Sequence, residues 1–142
     1  MNISFNGNVH TVNLKDTRKM NLENQVCSLE LSKRLKELGV KQSSLFFWTS
    51  GGVTSRLESL PILESNYSAF TVAELGEILP VGIWNPKKCK SIYLHCEPAN
   101  RICYWLIRYG NDLYQEELTE ANARAKMLIY LLENKLMELP NA

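Results

Sequence analysis

The sequence predicts an α+β fold in which an antiparallel sheet of about four to six strands packs against a long C-terminal helix, with two shorter helices alongside. Apolar residues recur at helical spacing in three segments, of which the last is the longest. Between Val81 and Tyr114 apolar and polar residues instead tend to alternate, which is typical of strands. These segments predict helices that pack against an antiparallel sheet.

Composition limits the class of protein. The chain has 142 residues, of which 45% are apolar and only 7 are Gly and 5 Pro, as expected for a folded domain with its own core. Lys plus Arg is 16 and Asp plus Glu is 15, so the net charge is +1, which argues against a nucleic-acid partner. Apolar runs such as Ile102 to Ile107 are far shorter than the roughly 20 residues of a membrane helix, and no signal-peptide pattern opens the sequence. We therefore expect a soluble, cytoplasmic protein without a membrane partner.

The first 19 residues differ in character from the rest of the chain. Ile3, Phe5 and Val9 surround Asn6-Gly7, a pair that suits a two-residue hairpin turn. We expect residues 1–19 to be an N-terminal extension that forms a hairpin and residues 20–142 to form a single α+β domain.

The first helix begins after Ser28, a good N-cap residue, and carries Leu31, Leu35 and Leu38 on one face. Gly39 supplies the left-handed residue that commonly follows a helix. The charged residues between these leucines form a solvated face. We therefore interpret this basic stretch as an amphipathic helix rather than a nucleic-acid-binding arm.

Residues 44–50 predict a strand rich in aromatic residues. Phe46 and Trp48 would lie on one face of it, and Leu45 and Phe47 on the other. Two apolar faces predict either a strand covered on both sides or a strand whose exposed aromatic face binds a partner.

The second helix is marked by Thr71 and Glu74, which have the spacing of a capping box. Phe70 and Leu75 have the spacing of the hydrophobic staple that accompanies such a cap. Pro80 ends the helix after about two turns.

Three strands come after this helix. A four-residue loop from Glu97 to Asn100 is expected to join the last two as a hairpin. If that loop is symmetric, Leu94 lies opposite Cys103 and Tyr93 lies opposite Tyr104. These three strands are Val81–Trp84, Ser91–Cys96 and Arg101–Tyr109. A turn at residues 110–112 then leads into a fourth, short strand around Leu113 and Tyr114.

The third helix is expected to begin after Thr119 and to extend to about Glu138, before Pro140. One apolar stripe runs along it, as on a helix laid across a sheet. Such a stripe is typical of a core, although its width also suits a dimer interface. Its members are Ala121, Ala125, Leu128, Leu132, Leu136 and Leu139.

Four blocks of the sequence together resemble a group of small bacteriophage and prophage accessory proteins. They are residues 28–42 (SLELSKRLKELGVKQ), 44–48 (SLFFW), 69–80 (AFTVAELGEILP) and 121–134 (ANARAKMLIYLLEN). The members of that group carry no established activity, so the resemblance implies no catalytic residues. It implies instead a context in which small phage proteins act on the host bacterial cell, including its defence systems, by binding.

Catalytic signatures are missing from the sequence. The two histidines, His10 and His95, lack the spacing of zinc ligands, and the cysteines show no short paired hook. No nucleophile elbow, P-loop or dinucleotide-binding glycine motif is present. His95 and Cys96 would lie on opposite faces of a strand, which prevents a thiolate-imidazole pair. We therefore expect no enzyme activity, no cofactor and no metal, with a small nucleotide-cleaving enzyme kept as the least favoured alternative.

Binding functions remain, and the sequence leaves three of them open. In the first, a homo-oligomer binds a host protein through exposed aromatic residues, because Trp and Tyr dominate interface energies. In the second, a pocket sequesters a small nucleotide-like signal by stacking and cationic contacts. In the third, the chain is an assembly protein that associates with copies of itself. The candidate anchors of the first are Trp48, Trp84, Trp105, Tyr93 and Tyr104, and the candidate pockets of the second pair Trp84 with Lys87 and Lys88, or Trp105 with Arg101 and Arg108.

Overall fold

A computed structural model of the chain describes residues 2–5, 8–11, 21–55, 66–85, 90–98 and 104–140. Within these residues the chain has three α-helices, a short 3₁₀ turn and three antiparallel sheets. The predicted α+β fold is confirmed, and its largest sheet has four strands, at the lower end of the predicted number.

The elements follow one another as strands and helices in alternating groups. In chain order they are β1 (Asn2–Phe5), β2 (Asn8–Thr11), the 3₁₀ turn (Leu22–Asn24), α1 (Leu29–Glu37), β3 (Phe46–Thr49), β4 (Gly52–Ser55), β5 (Tyr67–Ser68), α2 (Val72–Ile78), β6 (Gly82–Asn85), β7 (Lys90–Pro98), β8 (Trp105–Tyr109), β9 (Leu113–Glu117) and α3 (Glu120–Glu133). The sheets have the strand orders β1-β2, β4-β3-β5 and β6-β7-β8-β9.

The expected N-terminal hairpin is present as the pair β1 and β2. Phe5 lies opposite Asn8, the register that the predicted hairpin requires. Residues 6 and 7 themselves lie outside the described residues.

The helix starts predicted from the sequence are confirmed. Ser28 Oγ accepts the N–H of Leu31, and Thr119 Oγ1 accepts the N–H of Asn122. Thr71 and Glu74 form both hydrogen bonds of the capping box of α2. At the end of α1, Gly39 has a φ of 88°, the left-handed conformation that glycine adopts without strain.

The C-terminal helix ends earlier than predicted, at Glu133 instead of about Glu138. Lys135 takes a left-handed φ of 54°, its N–H donates to Leu132 O, and the N–H of Leu136 donates to Leu131 O. These two bonds are the Schellman termination of a helix, which the apolar stripe continuing beyond residue 133 concealed. Leu136 is consequently 44% exposed and does not extend the buried stripe.

The predicted pairing of β7 with β8 is wrong. Leu94 lies opposite Tyr109 instead of Cys103, and Pro98, placed in a loop by the sequence, lies opposite Trp105. Pro98 is tolerated because it is the last residue of its strand, where a missing N–H costs little. The shift from Cys103 to Tyr109 is an even number of residues, so Leu94 and Trp105 still share a face, as predicted.

Helix α3 covers one face of the four-stranded sheet. Ile107 and Tyr109 of β8 are fully buried, in one apolar cluster with Ala125 and Leu128 of α3. Helices α1 and α2 also pack against α3, and Leu35 and Leu75 bring them into the same core. The predicted role of the α3 stripe as core is confirmed for its first half. Helix α3 covers the face of the sheet on which Ile107 and Tyr109 lie.

The Glu74 carboxylate joins α2 to the start of β3. Its Oε2 accepts the Thr71 N–H at 2.8 Å and lies 2.8 Å from Ser44 Oγ, while its Oε1 accepts the Leu45 N–H at 2.9 Å. One partly buried side chain therefore stabilises both a helix terminus and the strand entry that lies thirty residues earlier in the chain.

Replacing Glu74 is expected to be costly. Glu74→Ala leaves the N–H groups of Thr71 and Leu45 without their acceptor, which should lower the free energy of unfolding by about 2 to 4 kcal/mol in urea denaturation. Glu77→Ala, on the exposed side of the same helix, is the matched control and should change it by less than ~0.5 kcal/mol. Equal losses in the two variants would contradict this role of Glu74.

Candidate binding site on the open face of the sheet

The face of the four-stranded sheet that points away from α3 carries large aromatic side chains. Because neighbouring strands are in register, paired residues share a face and alternate residues return to it. We call this surface the open face; it consists of Trp84, Tyr93, His95, Glu97, Leu106, Arg108, Tyr114 and Glu116.

The aromatic residues of the open face are well exposed. Tyr93 is 67% exposed, Trp84 60% and Tyr114 55%. Tyr93 lies opposite Gly82, which adds no side chain to the face, and Trp84 lies on the same face two residues further along β6. Tyr104, directly before β8, is also exposed. The rings of Trp84, Tyr93 and Tyr114 are therefore presented to solvent on strands that hydrogen bonds hold in place.

The middle of the open face is polar. His95 lies opposite Arg108, and His95 Nε2 is 3.1 Å from Glu97 Oε2. Arg108 Nη1 donates to Asn111 Oδ1 at 3.1 Å. Arg108 Nε is shielded from solvent and lies 3.8 Å from Glu97 Oε1, too far for a hydrogen bond. The guanidinium is therefore held in place while part of its donor capacity is unused.

Charges of both signs are interleaved on this face. Arg108 lies beside Glu97, and Glu116 lies on the edge strand β9. Such a mixture does not create the broad positive field that phosphate backbones require. Aromatic rings around a few paired charges are instead typical of protein interfaces.

The structure brings together some of the site residues that the sequence predicts. Trp84, Tyr93 and Arg108 share the open face, whereas Trp105 lies on the opposite face, toward the core. The proposed pairing of Trp105 with Arg108 is therefore wrong, because residues three apart on a strand point to opposite sides. Lys87, Lys88 and Arg101 lie outside the described residues.

Trp48 has a structural environment. Its indole Nε1 donates to Cys27 O at 2.9 Å, and its strand β3 is paired on both sides, with β4 and β5. This hydrogen bond joins the three-stranded sheet to the chain segment before α1, so the contacts of Trp48 stabilise the fold.

Sequence reasoning missed Tyr114 and Glu97 as members of the site. Tyr114 lies opposite Arg108 on β9, and Glu97 belongs to β7 rather than to a loop. The alternation of β9 was visible in the sequence, but its register against β8 was not. The sequence predicts a loop at residues 97–100, whereas β7 continues to Pro98 and pairs there with Trp105. Local turn preferences do not define where this strand ends.

Cys96 lies on the covered face, between the sheet and α3. Its Sγ is 3.3 Å from Glu120 Oε1, which also accepts two hydrogen bonds from Arg124, at 2.9 and 2.8 Å. Burial, and then the hydrogen bond to Glu120, raise the pKa of the Cys96 thiol to about 11. The thiol is consequently neutral at pH 7, and the sheet separates it from His95, so no thiolate-imidazole pair forms.

The described part of the chain shows neither a metal cluster nor a membrane span. Its residues contain no group of three or more His, Cys, Asp or Glu side chains arranged to hold a metal ion. Among the same residues, no helix is both long enough and apolar enough to cross a membrane.

Comparison with family models, curated proteins and solved structures finds no match to this chain. The resemblance of its four sequence blocks to small phage and prophage proteins stays a prediction from the sequence.

The environment of Cys96 predicts how stability depends on pH. Between about pH 9, the ordinary pKa of the thiol, and about pH 11, the unfolded chain loses the Cys96 proton while the folded chain keeps it. The free energy of unfolding should therefore fall across this window. Burial raises the pKa of Cys27 and of Tyr109 as well, so these groups act in the same direction.

Denaturant unfolding of the wild type and of Cys96→Ala at a series of pH values isolates the contribution of this thiol. The wild type should lose more stability than Cys96→Ala between pH 9 and pH 11. Parallel curves for the two proteins would show that the pKa of Cys96 is not raised in the folded state.

Proposed function

We propose that the chain is a non-catalytic binding protein whose open face binds a protein partner. The observation that supports this most strongly is the presence of Trp84, Tyr93 and Tyr114, each more than half exposed, on the same face of the sheet as Arg108. Exposing such rings to water costs free energy that burial against a partner recovers, at about 25 cal/mol per Å² of apolar area. Trp, Tyr and Arg are also the residues that most often dominate binding energy in protein interfaces.

The shape of the open face favours a protein over a small molecule. Small ligands bind in concave sites that enclose most of their surface. The open face is instead one side of a sheet, with side chains rising from four adjacent strands. A broad protein surface can cover all of these strands at once, and the interleaved charges give it a defined orientation.

The stereochemistry of Arg108 indicates one contact of this interface. Its Nη1 donates to Asn111 Oδ1, which restricts the guanidinium before binding. A restricted guanidinium loses less conformational entropy than a free one when it donates to a carboxylate or carbonyl of the partner. We infer that Arg108 sets orientation, while the three rings supply most of the buried apolar area.

The biological context of the proposal rests on the sequence resemblance. A small phage-type accessory protein in the cytoplasm of a host bacterial cell would use this face against a host protein, with a component of a defence system as the leading target. Self-association through the same face, as an assembly protein or a homo-oligomer, is the alternative that the test must separate.

Removal of two rings tests the proposal. The tagged chain is expressed in host bacterial cells, and captured proteins are compared for the wild type, Trp84→Ala/Tyr93→Ala and the control Leu45→Ala. Leu45 is 63% exposed beside β3, outside the open face, so its truncation removes a similar exposed apolar group. The captured partner should remain with Leu45→Ala and be lost with the double variant, since truncating one central aromatic anchor weakens binding by about 2 kcal/mol, roughly thirtyfold.

The folded state and the self-association of each variant are checked by thermal unfolding and by analytical ultracentrifugation. A dimer of the wild type that disappears in the double variant would assign the open face to self-association. A partner captured equally by all three proteins would overturn the assignment of the binding site to this face.

A further inference from the structure

A second candidate site lies on the other side of β8. A cavity of about 510 Å³ opens where the 3₁₀ turn, β3, α2, β8 and α3 meet, close to the start of each of the latter four. We call it the Trp105 cavity after the largest side chain that lines it. Its volume falls within the range of about 300 to 1,000 Å³ that is typical of small-ligand sites. Unlike the open face, it is concave.

Two aromatic residues line the Trp105 cavity, and they come from different sheets. Phe46 is the first residue of β3, and Trp105 is the first residue of β8. The indole N–H of Trp105 has no acceptor among the described residues, whereas that of Trp48 donates to Cys27 O. Trp105 therefore contributes an apolar ring to the cavity, and its indole N–H has no acceptor in the described part of the chain.

Two adjacent carboxamides line the same cavity. Asn24 and Gln25 close the 3₁₀ turn with their backbone N–H groups, which donate to Asn21 O and Leu22 O. Their side-chain amides have no partner within the part of the chain that the structure describes. A carboxamide offers one donor and one acceptor side by side, which matches the edge of a nucleobase.

The charge of the lining limits the ligand further. Among the described lining residues, Glu120 alone is ionisable, and its Oε1 already accepts from Arg124 and lies against Cys96. No described lining residue carries a positive charge that would pair with a phosphate. Free phosphate groups would meet a carboxylate here and gain no salt bridge.

The cavity has the volume of a small-ligand site, aromatic rings, free carboxamides and no cation among its described lining residues. We therefore propose that the Trp105 cavity binds an uncharged planar heteroaromatic ligand of nucleobase or nucleoside size. The ring stacks on Trp105 or Phe46, and its polar edge bonds to the amides of Asn24 and Gln25. This site is independent of the open face, because Trp105 and Arg108 point to opposite sides of β8. A ligand here and a protein on the open face are therefore compatible.

Isothermal titration calorimetry of the full chain with adenosine, at up to millimolar concentration, tests the proposal. Adenosine should bind with one site per chain, and adenosine monophosphate should bind no more tightly, because no cation of the described lining awaits its phosphate. Raising the salt concentration should leave both affinities unchanged. Absence of adenosine binding, or a phosphate-dependent and salt-sensitive affinity, would overturn the proposal.

Two variants place the binding in this cavity. Gln25→Ala removes one amide from the lining, and Trp105→Leu keeps apolar packing while removing the stacking ring; each should weaken adenosine binding about tenfold or more. Leu136→Ala, an exposed position beyond α3, should leave the affinity unchanged. Circular dichroism confirms that each variant is folded, and if Trp105→Leu is not, Gln25→Ala decides alone. An affinity unchanged by Gln25→Ala would place the ligand elsewhere.

Discussion

The packing of α3 on only one face of the four-stranded sheet determines most of what this molecule presents to its surroundings. Strands alternate their side chains, so covering one face with a helix leaves every second residue of β6 to β9 facing away from the core. The residues that face α3 include Ile107 and Tyr109, which are fully buried. The residues that face away from α3 include Trp84, Tyr93 and Tyr114. The same alternation that builds the core therefore produces the candidate interface.

Local signals in the sequence were sufficient for the starts of the helices and for the alternation along the strands. The Thr71 and Glu74 capping box and the N-caps at Ser28 and Thr119 depend on residues within one helical turn, so their spacing alone defines them. Pairing between β7 and β8 was predicted wrongly because it depends on the length of a connection, which turn preferences do not determine. The end of α3 was missed because an apolar stripe continues past the left-handed Lys135.

The candidate sites show the same division. Trp84, Tyr93 and Arg108 were found from residue type. Residue type does not show which side of the sheet a side chain occupies, and that side decides whether the residue is a surface anchor or part of the core. Trp105 was thus paired with Arg108, which lies on the other face of β8, and its neighbours in the cavity, Asn24 and Gln25, come from a distant segment. Long-range links of this kind, like the hydrogen bond from the Ser28 N–H to Asn122 Oδ1, leave no periodic trace in the sequence.

Covalent footprinting shows directly whether the open face is the binding surface. The chain is labelled by photogenerated carbene when free and when held in the complex recovered from host cells, and labelling is read at single residues. Binding should protect Trp84, Tyr93 and Tyr114 strongly and leave the exposed Leu45 and Leu136 unchanged. Equal labelling of the three rings in both states, with protection on another surface, would contradict the assignment of binding to the open face.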